Sequence, residues 1–196
     1  MRELTYFIGV TLDGFIAGPA DEVDFFEVSE DFAAWLATEW ADTLPTHVRE
    51  ALGAADAPLT KFDSVVMGRR TYEPALEADI VDPYRHLNTV VCSSTIKAPA
   101  GSSVRITADA PGDVVSQLKR SGDSDLDILL AGGGQLAGQL AGQIDRLVVK
   151  KYPVVAGRGV PMFDRAFEPL GFSLQSTRAF TNGCTVLEFV RGGSGN

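Results

Sequence analysis

The chain has 196 residues, 45% of them hydrophobic, and a formal charge of −9. A chain this long buries roughly 70% of the surface its unfolded form exposes, so it needs no disulfide or metal to hold a core. The acidic balance argues against a face built to neutralise nucleic-acid phosphates or to lie on anionic lipid, so neither nucleic acid nor a membrane is expected as a partner.

Leu4 to Val10 is short, apolar and β-rich, and Asp13-Gly14 ends it, which predicts a buried first strand. From Gly14 to Asp24 the Gly18-Pro19 pair among acids is turn chemistry, and Phe25 and Phe26 return to the core. A connection of that length is often functional. Ser29, Asp31 and the spacing of Phe32, Trp35, Leu36 and Trp40 predict a capped amphipathic helix whose aromatics serve the core.

Phe62 to Met67 predicts a second major strand, followed by Gly68-Arg69-Arg70-Thr71, a basic turn opening a short helix that stops by Pro74. Leu87 to Cys92, ending in Ser93-Ser94, and Ser103 to Thr107 are further strands. Pro111 opens a helix to Arg120, stopped by Gly122, and Leu126 to Ala131 is another strand. After Gly132-Gly133-Gly134 a helix runs through Leu136 and Leu140 to Gly142. Ile144 to Val155 is again strand-like, interrupted by Pro153.

This βα alternation predicts an α/β fold with a mostly parallel sheet flanked by helices. The end differs: Phe172–Phe180 and Thr185–Arg191 flank Asn182-Gly183, a two-residue hairpin signal that predicts a C-terminal antiparallel hairpin. Residues 1–191 are read as one domain and 192–196 as a flexible tail. The start shows no apolar run ending in a small-residue cleavage site, and no later run of about 18 apolar residues occurs, so a cytoplasmic protein is expected. Cys92 and Cys184 lack the spacing of a zinc or redox pair and are read as small core residues. His47 and His86 have no partners at metal or triad spacing and are read as surface residues, so no metal site is predicted.

Three segments put small or basic residues at strand ends, where open α/β sheets bind ligands. Gly132-Gly133-Gly134, with Gln135 and Leu136 behind it, either brings backbone N–H groups close to an anion or simply makes a tight turn. Gly68-Arg69-Arg70-Thr71 offers two guanidinium groups and a hydroxyl at a helix start, unless both arginines are ordinary solvated charges. Ser93-Ser94 could donate hydroxyls to a sugar or phosphate, or cap a helix. Gly133 to Gly138 is followed by Gln139-Leu140, so there is no P-loop lysine. The loose Rossmann spacing of Gly132, Gly134 and Ala137 has no acid about twenty residues on.

Taken with Leu12-Asp13-Gly14-Phe15-Ile16-Ala17 and Val66-Met67 ahead of the basic turn, these segments resemble the dihydrofolate reductase-like superfamily. Asp145-Arg146-Leu147, Pro153 and Gly157-Arg158-Gly159-Val160-Pro161-Met162-Phe163 bring the chain nearer its riboflavin-biosynthesis reductase branch, over about residues 4 to 190. No His-x-Glu with Pro-Cys-x-x-Cys deaminase signature is present. The resemblance implies a dihydrofolate reductase-like fold binding NADPH across the strand ends. Gly68, Arg69, Arg70 and Thr71 would hold phosphates, Ser93 and Ser94 would lie by the adenosine ribose and its 2′-phosphate, and Gly132 to Gly134 would lie at the pyrophosphate, with a cis peptide between the first two glycines. Ile16 would lie near the nicotinamide, on a lid loop. A homodimer is implied in the same way.

The function expected is NADPH-dependent hydride transfer to a small heterocyclic or carbonyl substrate; the alternative is a non-catalytic NADPH-binding sensor or scaffold. Asp13 is the candidate for polarising or protonating substrate, provided burial raises its pKa, and an Asp-Gly turn is its other reading. Glu27, Glu30 and Asp31 occupy the stretch where folate reductases carry their pterin-binding acid, without a clean match. Lys150, Lys151 and Gly157 to Gly159 could line the substrate end, though a glycine bend after a strand explains the last three equally well.

Overall fold

The β-rich runs Leu4–Val10 (β1), Phe62–Gly68 (β3), Asn88–Cys92 (β4), Asp127–Gly132 (β6) and Arg146–Lys151 (β7) alternate side chains between two buried faces, and in the computed structural model they pair in parallel. The structure describes residues 1–121 and 124–192. The short strand Arg105–Thr107 (β5) adds to β4 in parallel, while Phe172–Ala179 (β9) and Thr185–Arg191 (β10) close the other side antiparallel. The result is one eight-stranded sheet in the order β5-β4-β3-β6-β1-β7-β10-β9. It is the mostly parallel sheet with an antiparallel C-terminal hairpin that the sequence predicts.

Glu30–Glu39 (α1), Thr46–Ala51 (α2) and Arg69–Glu77 (α3) cover one face, where Phe7, Val65, Met67, Leu129 and Val148 meet Phe32, Trp35 and Tyr72. Pro111–Arg120 (α4) and Gly134–Leu140 (α5) cover the other, packing Val114, Val115, Leu118 and Leu140 on Tyr6, Val66, Ile128 and Leu130. Each such large side chain removed from water contributes about 1.5–3 kcal/mol before the entropy of ordering is set against it. Phe15–Ala17 (β2) and Val160–Pro161 (β8), neither evident in the sequence, pair as a small separate ribbon.

Several local expectations are corrected. Pro74 lies inside α3, which continues to Glu77: the ring removes one amide from the ladder, yet Ile80 N–H still reaches Ala75 O at 2.8 Å beyond the end. β7 stops at Lys151, before Pro153. The Asn182-Gly183 hairpin is not a two-residue turn. Gly183 N–H bonds Phe180 O at 2.9 Å, Gly183 alone has positive φ at +79°, and Phe180 N–H closes the loop on Cys184 O. This is a type I turn followed by a left-handed glycine. The Asn182 side chain is occupied instead, its amide reaching Glu27 O at 2.7 Å while its oxygen accepts Cys184 N–H at 3.0 Å. Gly122, the predicted stop of α4, and 193–196 of the predicted tail lie outside the described residues.

The Ser29 hydroxyl donates to Asp31 rather than capping α1. His86 is half-buried, not superficial: its Nε2 lies 3.1 Å from Asp42 O, and burial lowers its pKa. Cys184 is buried, as predicted, but Cys92 is only partly so.

Candidate functional site

Parallel strands end together, and their register explains why three segments remote in sequence meet. Gly68 at the end of β3 pairs with Cys92 at the end of β4, and Met67 with Gly132 at the end of β6. Between these ends lies a cleft of about 530 Å³ lined by all twelve predicted cofactor residues: Ile16, Gly68, Arg69, Arg70, Thr71, Ser93, Ser94, Gly132, Gly133, Gly134, Gln135 and Leu136.

The β3–α3 turn supplies the charge. Arg69 and Arg70 open α3, whose first turn has no acidic residue and no side-chain cap, so its amides are not taken by a capping side chain. Neither arginine is idle. Arg69 donates to Glu73 at 2.7 Å one helical turn along, and Arg70 makes a two-bond clasp with Asp21, Nε to Oδ2 at 3.0 Å and Nη2 to Oδ1 at 2.6 Å. The Thr71 hydroxyl points at the glycine turn, 3.7 Å from where a Cβ on Gly132 would stand.

The β6–α5 turn supplies backbone alone. Its Gly132–Gly133 peptide is cis, and Gly132 sits at φ +121°. Gly134 has a different reason to be glycine than approach to an anion: a Cβ there would lie 2.1 Å from the carbonyl oxygen of Pro161, so β8 crosses directly against it. Ile16 on β2 and Ile8 on β1 bring their Cδ1 atoms within 3.9 and 3.8 Å of the Cβ positions at Gly133 and Gly132, forming with Ala17, Val23 and Val160 an apolar end of the cleft. Such a wall shields a reacting ring from water.

Ser93 and Ser94 follow β4 into a loop, with no helix for them to cap. Ser93 Oγ accepts Thr95 N–H at 3.2 Å, and Ser94 is exposed toward the cleft. Cys92 also lines the cleft, where burial raises its thiol pKa and nearby Arg105 opposes the rise.

Other candidates fall elsewhere. Asp13 is exposed and outside the cleft. Its carboxylate accepts the Thr11 hydroxyl at 2.6 Å and the N–H groups of Ala156 and Gly157 at 3.1 and 2.7 Å, which hold its pKa down at about 2. The expected burial and raised pKa are absent, because three donors favour the ionised form. Asp13 ties its turn to the remote Ala156–Gly157 segment, which goes beyond the local Asp-Gly turn of the second reading. Asp31 is likewise bound by Ser29 and Thr181, with a pKa near 2, and ties α1 to the β9–β10 turn. Lys150 and Lys151 do not line the cleft: Lys150 Nζ packs 4.0 Å over the Phe7 ring on the α1 face, where burial lowers its pKa to about 8. Gly159 abuts Ala17 O instead of a ligand space.

Residues that sequence reasoning missed include Asp21, Val23, Thr95, Pro111, Gln139 and Val160. For Asp21 the available signal was the Gly18-Pro19 turn. The tip folds on itself, Gly18 N–H to Glu22 O at 2.8 Å and Ala20 N–H to Glu22 Oε2 at 2.8 Å, and presents Asp21 at φ +65°.

The donor set suits an elongated polyanion carrying a sugar: two guanidinium groups, the hydroxyls of Thr71, Ser93 and Ser94, open amides at α3, and a close glycine turn. That chemistry fits NADPH. No helix among the described residues is long and apolar enough to cross a membrane.

Residues 2–186 match the family model described as the RibD C-terminal domain. The uncharacterized protein YwjB of Bacillus subtilis (strain 168) is 26% identical over 195 residues, 97% of this chain and 98% of its own. The uncharacterized protein YyaP of the same organism is 25% identical over 201 residues, 96% of this chain and 94% of its own. Among solved structures, a putative riboflavin biosynthesis protein from Shewanella sp. PV-4 superposes with a TM-score of 0.67 at 22% identity, covering 98% of this chain and 99% of its own. Acinetobacter baumannii RibD superposes with a TM-score of 0.65 at 15% identity, covering 98% of this chain and 58% of its own. The fold is thus the dihydrofolate reductase-like fold of RibD-type reductases.

Proposed function

Since the chain belongs to the RibD C-terminal domain family, we propose that it is an NADPH-dependent reductase passing a hydride to a small heterocyclic or carbonyl substrate. One observation carries the reading: twelve residues from four separate segments meet in a single cleft of about 530 Å³. NADPH would supply the hydride. The chain's residues bind, align and exclude water, which is the protein's usual share of cofactor chemistry. Arg69, Arg70 and Thr71 would take the cofactor's phosphates, Ser93 and Ser94 the adenosine ribose and its 2′-phosphate, and the Gly132–Gly134 turn the pyrophosphate. Two guanidinium groups in an acidic protein favour the extra phosphate of NADPH over NADH. Ile8, Ile16, Ala17 and Val160 would flank the nicotinamide.

Asp13, held ionised by its three donors and outside the cleft, gives no proton to substrate at neutral pH. The same finding favours a second reading, a NADPH-binding sensor or scaffold without turnover. The protein would act as a soluble homodimer on a small-molecule substrate, without nucleic acid or membrane.

The test is titration with NADPH, followed by the thermal stabilisation that a native-state ligand gives and by the cofactor's own emission, since Trp35 and Trp40 lie in the core and not in the cleft. Saturable binding with oxidation by at least one member of a panel of cyclic and carbonyl acceptors supports the reductase. Saturable binding with no oxidation selects the sensor, and no binding overturns both.

A further inference from the structure

Of the two cleft arginines, only Arg70 is held from another element among the described residues, and what holds it stands where a ligand must come. Asp21 lines the cleft and meets Arg70 through two bonds of 3.0 and 2.6 Å, the planar side-on geometry that a phosphate also uses on a guanidinium. The residue is placed there by the fold. Its N–H bonds Gly18 O at 3.2 Å, its backbone sits at φ +65°, and the tip from Gly18 to Glu22 is tied internally, so the carboxylate arrives on a preformed unit. Both side chains remain about half exposed, at 47% and 45%, so the pair is weak enough to exchange. The Arg69–Glu73 pair runs along α3 and closes nothing.

We propose that Asp21 is a built-in competitor for the cofactor's phosphate: its carboxylate occupies the Arg70 guanidinium in the free protein, clasping the 18–24 loop to α3, and a dinucleotide binds by displacing it. The inference rests on the cofactor reading above and adds a regulating residue to the same site. Two consequences follow from the charge. Every cofactor phosphate reaching Arg70 gives up part of its binding energy to break the clasp, and the 18–24 loop, which bears Val23, is released as the phosphate docks. Affinity and loop position are therefore linked through one carboxylate.

Asp21→Asn removes the charge while keeping a residue that tolerates a left-handed backbone. An exposed pair of this kind corresponds to a factor of up to about five in an equilibrium constant, so the variant is expected to bind NADPH about five-fold more tightly than wild type. A readout independent of cofactor is the Arg70 Nε–H signal in ¹⁵N NMR, assigned with Arg70→Lys. It should exchange with water more slowly than that of Arg105 in free wild type, and speed up in Asp21→Asn but not in Glu73→Gln. Adding NADPH to wild type should shift it. A protected signal in wild type together with equal or weaker NADPH binding by Asp21→Asn overturns the competition while leaving the cofactor site standing. An unprotected signal in wild type overturns the clasp itself. Absence of NADPH binding in both proteins overturns the cofactor reading and the competition with it.

Discussion

The two strand-to-helix turns that face each other across the cleft do opposite kinds of work. The β3–α3 turn offers side chains: Arg69 and Arg70 are about half exposed, each in an ion pair that ligand or solvent can exchange. The β6–α5 turn offers none. Its Gly134 is fixed by the crossing of β8, a carbonyl oxygen standing 2.1 Å from any Cβ placed there. The first turn sets affinity at little structural expense, and the second sets structure on which affinity depends. A motif of small residues beside a ligand is therefore not evidence that each glycine meets the ligand.

Substitutions can break this comparison. Gly134→Ala should have the largest effect: forcing a methyl against backbone costs about 3 kcal/mol, or roughly 10 °C in melting temperature, with NADPH binding lost alongside. Thermal unfolding checks this, and an unchanged melting temperature would return Gly134 to a ligand role. The double variant Arg69→Ala, Arg70→Ala should weaken NADPH by about 100-fold, from charge-assisted bonds of about 1.5 kcal/mol each. Its melting temperature should hardly move, since exposed pairs contribute little. Calorimetric titration beside thermal melting reads both numbers, and a large loss of stability would erase the distinction between the turns.

Lys150 sharpens the contrast from outside the cleft, as a cation that should matter to stability and not to binding. Burial lowers its pKa from 10.5 to about 8, so the folded state loses its proton before the unfolded state does. The cost of holding the charge is complete below pH 8 and is relieved as pH rises toward 10.5. Lys150→Met should stabilise the protein at pH 7 by about 1–2 kcal/mol, less than burial alone would give because the Phe7 ring offsets part of it. Denaturant unfolding should show the gain shrinking between pH 8 and 10.5, with NADPH affinity unchanged throughout. The smallest effect is expected of Asp13→Asn. The Asp13 pKa is depressed from 3.8 to about 2, so what it adds to stability is present above pH 3.8 and lost as pH falls through 2. The variant should unfold at slightly higher pH on acidification, while the pH profile of turnover between 6 and 8 stays that of wild type.

Much of this was legible because parallel strands share an end. Once Phe62–Met67, Leu87–Cys92 and Leu126–Ala131 are read as strands of one sheet, the residues that follow them must be neighbours, and local pattern suffices to list most of the cleft. What was not legible depends on contacts between elements. The role of Asp13 turned on the amides of Ala156 and Gly157, more than 140 positions away. The three-residue β2 and two-residue β8 are too short to carry periodicity, so neither Val160 in the cleft nor the carbonyl against Gly134 could be foreseen. Asp21 was visible as a turn residue, but its partner Arg70 lies 49 positions on. Cys92 looked like core because strand pattern does not say which end residue faces a cavity.

The most direct test of the account is a crystal structure of the protein grown or soaked with NADPH. The account predicts one cofactor molecule along the ends of β4, β3 and β6, with phosphate oxygens within hydrogen-bond reach of Arg69, Arg70 and the Gly132–Gly134 turn, and the nicotinamide against Ile16. Cofactor density elsewhere, or a cleft without cofactor at concentrations that saturate binding in solution, would contradict it.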